Sequence, residues 1–383
     1  MALLNIGIID ADLMGRKKHR FPNLASMKIS NYNKSIGNNV KLITSYDDDM
    51  SVYDDIYLSK VFTDTVVPDN ILKLDNIHLG GTGFYFDKAP PLSEEIEHFM
   101  PDYHLYDDWI TTVSQLEGKR KSRNAQFRWY TDYSIGFTTR GCFRKCPFCV
   151  NQKYNRVFKH SSLCEFYDPN LKKICLLDDN ILGFKDWKSV FEELNSTGKP
   201  FQFKQGLDER LLTKEKCDVL FNSKYDGDYT FAFDNIADYD LIERKLDLIR
   251  SLTDKRCRFF VLVGFDRGGR YDDDFWVQDI FDCVKRCELL FKYECLPYIM
   301  RFEKYKESPY FRQYNTIASW INQPSMCKRV SLVEFGKISE KCGQPSRIKY
   351  TKEFCDKYPE FEYYANMKFG QISSIKERTI NGV

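Results

Sequence analysis

Three cysteines, Cys142, Cys146 and Cys149, stand in the stretch TTRGCFRKCPFCV with the spacing Cys-x-x-x-Cys-x-x-Cys. Thiolates bind zinc and iron–sulfur clusters, and a structural metal site usually closes with four ligands. Three thiolates on one tight loop can hold three irons of a cubane cluster and leave the fourth iron with an open position. An open position marks a metal that does chemistry. Taken alone, the spacing also suits a zinc knuckle, or cysteines that are merely small core residues.

Of the 13 cysteines, an odd number, only this triplet has ligand spacing, and in a reducing compartment the rest do not form a disulfide framework. Cys283 and Cys287, four apart in DIFDCVKRCELLF, read as one face of a buried helix rather than half of a second cluster site. Cys327, Cys342 and Cys355 are too widely spaced for an auxiliary motif.

The triplet follows a strand candidate, YSIGFT (133–138). Five more follow: KICLLD (173–178), FQFKQG (201–206), YTFAFD (229–234), RFFVLVGF (258–265) and ECLPYIM (294–300). Helical stretches such as WKSVFEELNS and DLIERKLDLIRSL fill the gaps. Six strand–helix units at even spacing predict an open relative of the eight-unit barrel, a partial (β/α)6 barrel over 130–310, whose site lies at the C-terminal strand ends. Asp178, Asp179 and Asn180, then Gln205 and Asp208, then Asp234 and Asn235, then Gly264 fall at those ends.

Upstream, NIGIIDA, VKLITSY, DIYLSKVFT and NIHLGGTGF read as four strands. Between the first two, PNLASMKISNYNKSIG puts Ala25, Ile29, Tyr32 and Ile36 on one stripe and stops at Gly37. This predicts a Rossmann-like parallel sheet domain over 1–117. Residues 118–129 form a basic linker, and 311–383 a mixed, helical C-terminal cap. At the junction of barrel and cap, Tyr310, Phe311, Tyr314 and Trp320 offer rings for a substrate, and Arg312 offers a cation. The fold class expected is therefore α/β throughout.

Composition agrees with an ordinary globular chain: 383 residues, 43% hydrophobic, 15% aromatic and net charge +2. That charge excludes a global pull on nucleic acid but allows a local basic patch. The start, MALLNIGIIDADLMG, lacks the pattern of a signal peptide, and no apolar run has membrane length; a cytoplasmic protein is expected.

The cysteine loop, with TTRGC before it and Phe148 ahead of the last cysteine, resembles the signature of the radical S-adenosylmethionine superfamily. The resemblance covers about residues 130–300. It implies a [4Fe-4S] cluster on Cys142, Cys146 and Cys149, with S-adenosylmethionine chelating the fourth iron. It also implies reductive cleavage to a 5′-deoxyadenosyl radical that takes hydrogen from a substrate, and an electron donor such as flavodoxin or ferredoxin. Phe148 would lie by the adenine. Asp178, Asp179 and Asn180 stand where the family has Gly-Gly-Glu, which meets the amino group of the co-substrate. Gln205, Asp208, Asp234 and Asn235 would meet ribose, carboxylate or substrate. Gly264 would admit the adenine.

Residues 1–90 resemble the cobalamin-binding domain of one branch of that superfamily. Asp10-Ala11-Asp12-Leu13-Met14-Gly15, Ser59-Lys60-Val61 and Gly80-Gly81 follow its skeleton, but Asp12 stands where the cobalt-ligating histidine would be. Lys60 and the cationic GRKKHR segment weigh against cobalamin and toward an anionic part of the substrate. One rival is a cobalamin-dependent methyltransferase. The other, from a different class, is a non-enzymatic iron–sulfur or zinc protein that binds nucleic acid through the linker and aromatic tail.

Overall fold

The computed structural model describes residues 3–16, 20–116 and 123–372. The chain divides into two compact units, Met1–Gln205 and Gly206–Val383, and the division falls inside the expected barrel segment. The fold is mixed α/β with parallel sheets.

In the first unit, β1 (Asn5–Asp10), β2 (Asn39–Leu42), β3 (Asp55–Ser59) and β4 (Ile77–Gly80) form one sheet in the order β2-β1-β3-β4, all parallel. The inner strand β1 is buried on both faces, as an inner parallel strand must be. Ile6 and Ile8 face one core with Tyr103, Tyr106, Phe127 and Tyr130. Ile9 faces the other with Ile43, Ile56, Leu58 and Ile71, the alternation a strand imposes.

The helix Leu24–Ser35 starts at Asn23, whose Oδ1 accepts from Ser26 N at 3.1 Å, and the chain leaves it at Gly37 with φ +93°. Its buried face is not the expected apolar stripe: Ile36 is exposed, while Ser26, Lys28, Ser30 and Asn33 are buried. Hydrogen bonds account for the exchange. Ser30 Oγ donates to Asp102 at 2.6 Å, and Lys28 pairs with Glu97 at 3.1 Å.

The second sheet of this unit is β5-β8-β9, with β5 Tyr133–Gly136, β8 Lys173–Leu176 and β9 Phe201–Phe203, again parallel. Tyr133, Ile135, Cys175 and Leu177 form its core with Phe21, Leu24 and Trp129. A two-stranded antiparallel pair, β6 (Thr139–Arg140) with β7 (Phe158–Lys159), was not foreseen.

The second unit holds β10 (Tyr229–Ala232), β11 (Cys257–Val263) and β12 (Leu296–Arg301), parallel in that order. All six expected barrel strands thus exist. They lie in two separate three-stranded sheets, and a closed barrel is not shown. Cys283 and Cys287 are buried on the helix Asp273–Lys292. The helices Phe311–Ile321, Leu332–Lys341 and Ser346–Lys357 follow. Two of the rings offered to a substrate are core instead. Trp320 is fully buried with Nε1 donating to Val330 O at 2.9 Å, and the buried Tyr314 hydroxyl donates to Asp279 at 2.8 Å. Most of the linker's cations, Lys119 to Lys121, and Lys17 to His19 of GRKKHR lie outside the described residues.

Candidate metal centre

The cysteine loop hangs between β6 and β7 and is fastened from β8. Asp178, just past the end of β8, is 1% exposed. Its Oδ1 accepts from Thr138 Oγ1 at 2.6 Å, Thr139 N at 2.7 Å and Thr139 Oγ1 at 2.6 Å, and its Oδ2 accepts from Thr138 N at 3.0 Å. Burial pushes this carboxyl up, and the bonds from Thr138 and Thr139 pull it back. Expected at the mouth to meet a co-substrate, Asp178 is instead spent on the chain that leads into the loop.

Asp179 fastens the loop itself. It accepts from Gly141 N at 2.6 Å and from Asn151 Nδ2 at 2.8 Å, and Arg140 Nε stands 3.6 Å away. Asn180 Nδ2 donates to Cys142 Sγ at 3.3 Å. Cys142 Sγ also accepts from Arg144 N at 3.3 Å, and Cys149 Sγ from Asn151 N at 3.4 Å. Cys149 N donates to Cys146 O at 2.9 Å, which closes a backbone turn over the last two cysteines. Cys142, Cys146, Cys149 and Phe148 are all half-buried. Burial first, then the neighbouring thiols and Asp179, push Cys149 up, while the bond from Asn151 N pulls it back. Among the described residues, no three His, Cys, Asp or Glu side chains are placed to hold a single metal ion.

Gln205 closes the first unit as an exposed turn residue after β9. In the second unit, Asp208 binds Arg210 Nε at 2.7 Å. Asn235 Oδ1 accepts from Ala237 N at 3.0 Å and so caps a short helical turn. Asp234 is pushed up by burial and pulled back by Arg286. Gly264 has φ +77°, and a Cβ there would meet Tyr305 Cβ at 2.7 Å, so the missing side chain makes room for Tyr305. Its N–H donates to Asp279 at 2.7 Å. The buried Arg286 ties the ends of β10 and β11 by donating to Phe233 O at 2.8 Å and Leu262 O at 3.0 Å.

Two features had no usable sequence signal. Near the loop, His160 N donates to Thr138 O at 2.9 Å, and its ring stacks on His98 at 5.2 Å. His98 holds Glu165 at 2.7 Å, and burial pushes His160 down to about 4, so it is neutral at pH 7. In the second unit Glu209 is buried and accepts from Ala232 N at 3.0 Å. Burial, then Asp208, raises it to about 8.

Between the unfolded value near 4.5 and about 8, the folded chain therefore holds a proton on Glu209 that the unfolded chain releases. Its linked stabilisation is complete below pH 4.5 and lost as pH rises, by up to about 1.4 kcal/mol per pH unit, levelling off above pH 8. Glu209→Gln is expected to flatten the fall in stability between pH 5 and 8, measured by urea unfolding. An unchanged slope would mean the carboxyl is already ionised.

At the end of the first sheet, the side chains that follow the cobalamin-domain skeleton are engaged with the chain. Asp12 is buried and accepts from Val61 N at 2.6 Å and from Thr65 Oγ1. Ser59 Oγ accepts from Asn23 Nδ2 at 3.0 Å. Lys60 Nζ donates to Thr65 O at 2.9 Å and lies 4.6 Å over the Phe84 ring. Gly81, at φ +97°, leaves room for Lys60 O, which a Cβ would approach to 2.2 Å. Asp10 is fully buried, takes a 2.9 Å bond from Tyr106 Oη, and is pushed up to about 7 by burial.

No helix of the described residues is long and apolar enough to cross a membrane. No family model matches the chain, and no curated protein matches it. Among solved structures, three forms of the cobalamin-dependent S-adenosylmethionine radical enzyme OxsB overlap it. The apo form aligns at TM-score 0.36 and 15% identity, and the aqua-cobalamin form at 0.35 and 15%. The form with aqua-cobalamin and S-adenosylmethionine aligns at 0.34 and 14%. Each alignment covers 78% of this chain and 49% of that one, so the chain spans about half the length of these solved structures. Scores this low do not establish a common fold, and the functional reading rests on the site's own residues.

Proposed function

We propose that Cys142, Cys146 and Cys149 hold a [4Fe-4S] cluster and that the protein is a radical S-adenosylmethionine enzyme. The observation that carries this reading is the cysteine triplet on a loop already fastened by its own chain, with N–H donors on the Cys142 and Cys149 sulfurs. Such donors offset negative charge on sulfur and tune a cluster's potential. Three thiolates on one short loop suit a cubane cluster with one open iron position better than a closed structural zinc site, which takes four ligands.

With cluster and S-adenosylmethionine bound, the chemistry supplied is one-electron cleavage of the co-substrate to a 5′-deoxyadenosyl radical. The chain's own part is positional. Asp178 fixes the segment entering the loop, Asp179 fixes Gly141 and Asn151, and Asn180 orients the Cys142 sulfur. Phe148, Gln205, Asp208, Asp234, Asn235 and Gly264 remain proposed contacts to the co-substrate or substrate. Asp208, Asn235 and Gly264 also have partners within the protein, Arg210, Ala237 N and Asp279. The substrate is not named by any residue of the site.

The end of the first sheet does not fit cobalamin. Asp12 offers a carboxylate already holding Val61 N and Thr65 Oγ1 where imidazole would be the better cobalt ligand, and Lys60 fills the neighbouring space. No step is derived through that cofactor, and the methyltransferase alternative is the weaker one.

One experiment separates the readings. Protein purified and reconstituted without oxygen is reduced with dithionite, given S-adenosylmethionine, and analysed by chromatography. 5′-Deoxyadenosine without S-adenosylhomocysteine is expected. Both products together would favour the methyltransferase. Neither, above a cluster-free control, would favour the nucleic-acid-binding alternative.

A further inference from the structure

The second unit carries a cationic cleft of 440 Å³, between the helix Phe311–Ile321 and the turn that starts the helix Ser346–Lys357. Its lining includes Arg312, Thr316, Ser319, Ser346, Arg347 and Tyr350. Clefts of this size, with a few converging polar groups, are the usual hosts of small ligands.

Both guanidinium groups are held by neutral partners. Arg312 donates to Tyr350 Oη and lies 4.8 Å over that ring. Arg347 donates to Ser339 Oγ at 3.1 Å and lies 5.0 Å over Phe335. Among the described residues neither has an ion pair with a carboxylate. Each guanidinium has five N–H donors, so most of the fork is left for a ligand.

The helix Ser346–Lys357 adds to this. It begins at Pro345 with no side-chain cap, so its first N–H groups and the positive end of its dipole face the same turn. Hydroxyls of Ser319, Ser346 and Tyr350 complete a donor-rich lining. The adjoining cleft shares Pro345 and Ser346 and adds Lys352, the carboxylate Glu340 and Lys349, which lies 3.8 Å from Glu353. Two guanidinium forks, hydroxyls and an uncapped helix start match the several terminal oxygens of a phosphate better than the two of a carboxylate.

We propose that this cleft binds the phosphate group of a small phosphorylated molecule. The inference does not rest on the cysteine-loop reading, and its probes carry no adenine, so the two can fail separately. The full chain is titrated calorimetrically with inorganic phosphate, ribose 5-phosphate, ribose and an eight-nucleotide single strand of thymidines. Unliganded melting curves report folding of each variant.

One-to-one binding of phosphate and ribose 5-phosphate, but not ribose, is expected. Arg312→Leu should weaken it about tenfold or more, because a charge-assisted pair is lost. Ser319→Glu, a change on an open helix face, should do the same by placing a carboxylate in the cleft. The proposal fails if neither phosphate probe binds at millimolar concentration, or if ribose binds equally well. It also fails if both folded variants keep full affinity, or if only the oligonucleotide binds.

Discussion

Alanine at Cys142, Cys146 and Cys149 together is expected to leave a folded protein with no cluster iron and no 5′-deoxyadenosine formation. Single replacements should each lower co-substrate cleavage by on the order of a hundredfold or more, since even loss of a residue behind a metal ligand costs about ten- to a hundredfold. The side chains themselves contribute little to the fold. All three are half-buried on a loop whose fastening comes from Asp178 and Asp179. Iron assay after anaerobic reconstitution and far-ultraviolet circular dichroism check the two halves of the statement. Full iron retention in the triple variant, or stoichiometric zinc without iron in the parent, would falsify the cluster assignment.

The second large effect concerns Asp178. Alanine there leaves the amides and hydroxyls of Thr138 and Thr139 without their acceptor at a site 1% exposed. A buried hydrogen-bonded acid costs about 3–5 kcal/mol to remove when its partners are stranded. Urea unfolding should show a loss of that order, and iron content should fall because the segment entering the loop is released. Asp178→Asn separates geometry from charge: it keeps the shape but turns one acceptor oxygen into a donor facing donors. It should lose most of the same stability. A variant as stable and as iron-rich as the parent would remove Asp178 from this role.

The outcome at Asp178 shows where reading the chain alone runs out. The apolar run NIGIID announced its strand because this inner parallel strand is buried on both faces, and RFFVLV did so although only alternate residues of it are fully buried. The cysteine spacing was legible because ligand geometry is local. Which way Asp178 points was not, since its partners lie about forty positions earlier and only the β5–β8 register brings them together. Nor could Tyr314 and Trp320 be told from exposed rings, because both have polar tips that buried neighbours satisfy. Ile36 misled for the opposite reason: the helix before it buries serines and a lysine whose partners, Asp102 and Glu97, are remote in sequence.

The β6–β7 pair has a consequence for assembly. It brings residues 140 and 158 together and closes the intervening loop by backbone pairing, to which Asp179 adds its bonds to Gly141 N and Asn151 Nδ2. Closing a flexible loop of that length costs on the order of 2–3 kcal/mol in chain entropy. Here polypeptide pairing meets that cost, so metal arrival need not. Small zinc modules fold only as they capture their ion. This chain instead closes the loop before any metal arrives, so under the proposed cluster reading iron loading would be separable in time from folding and open to a delivery protein.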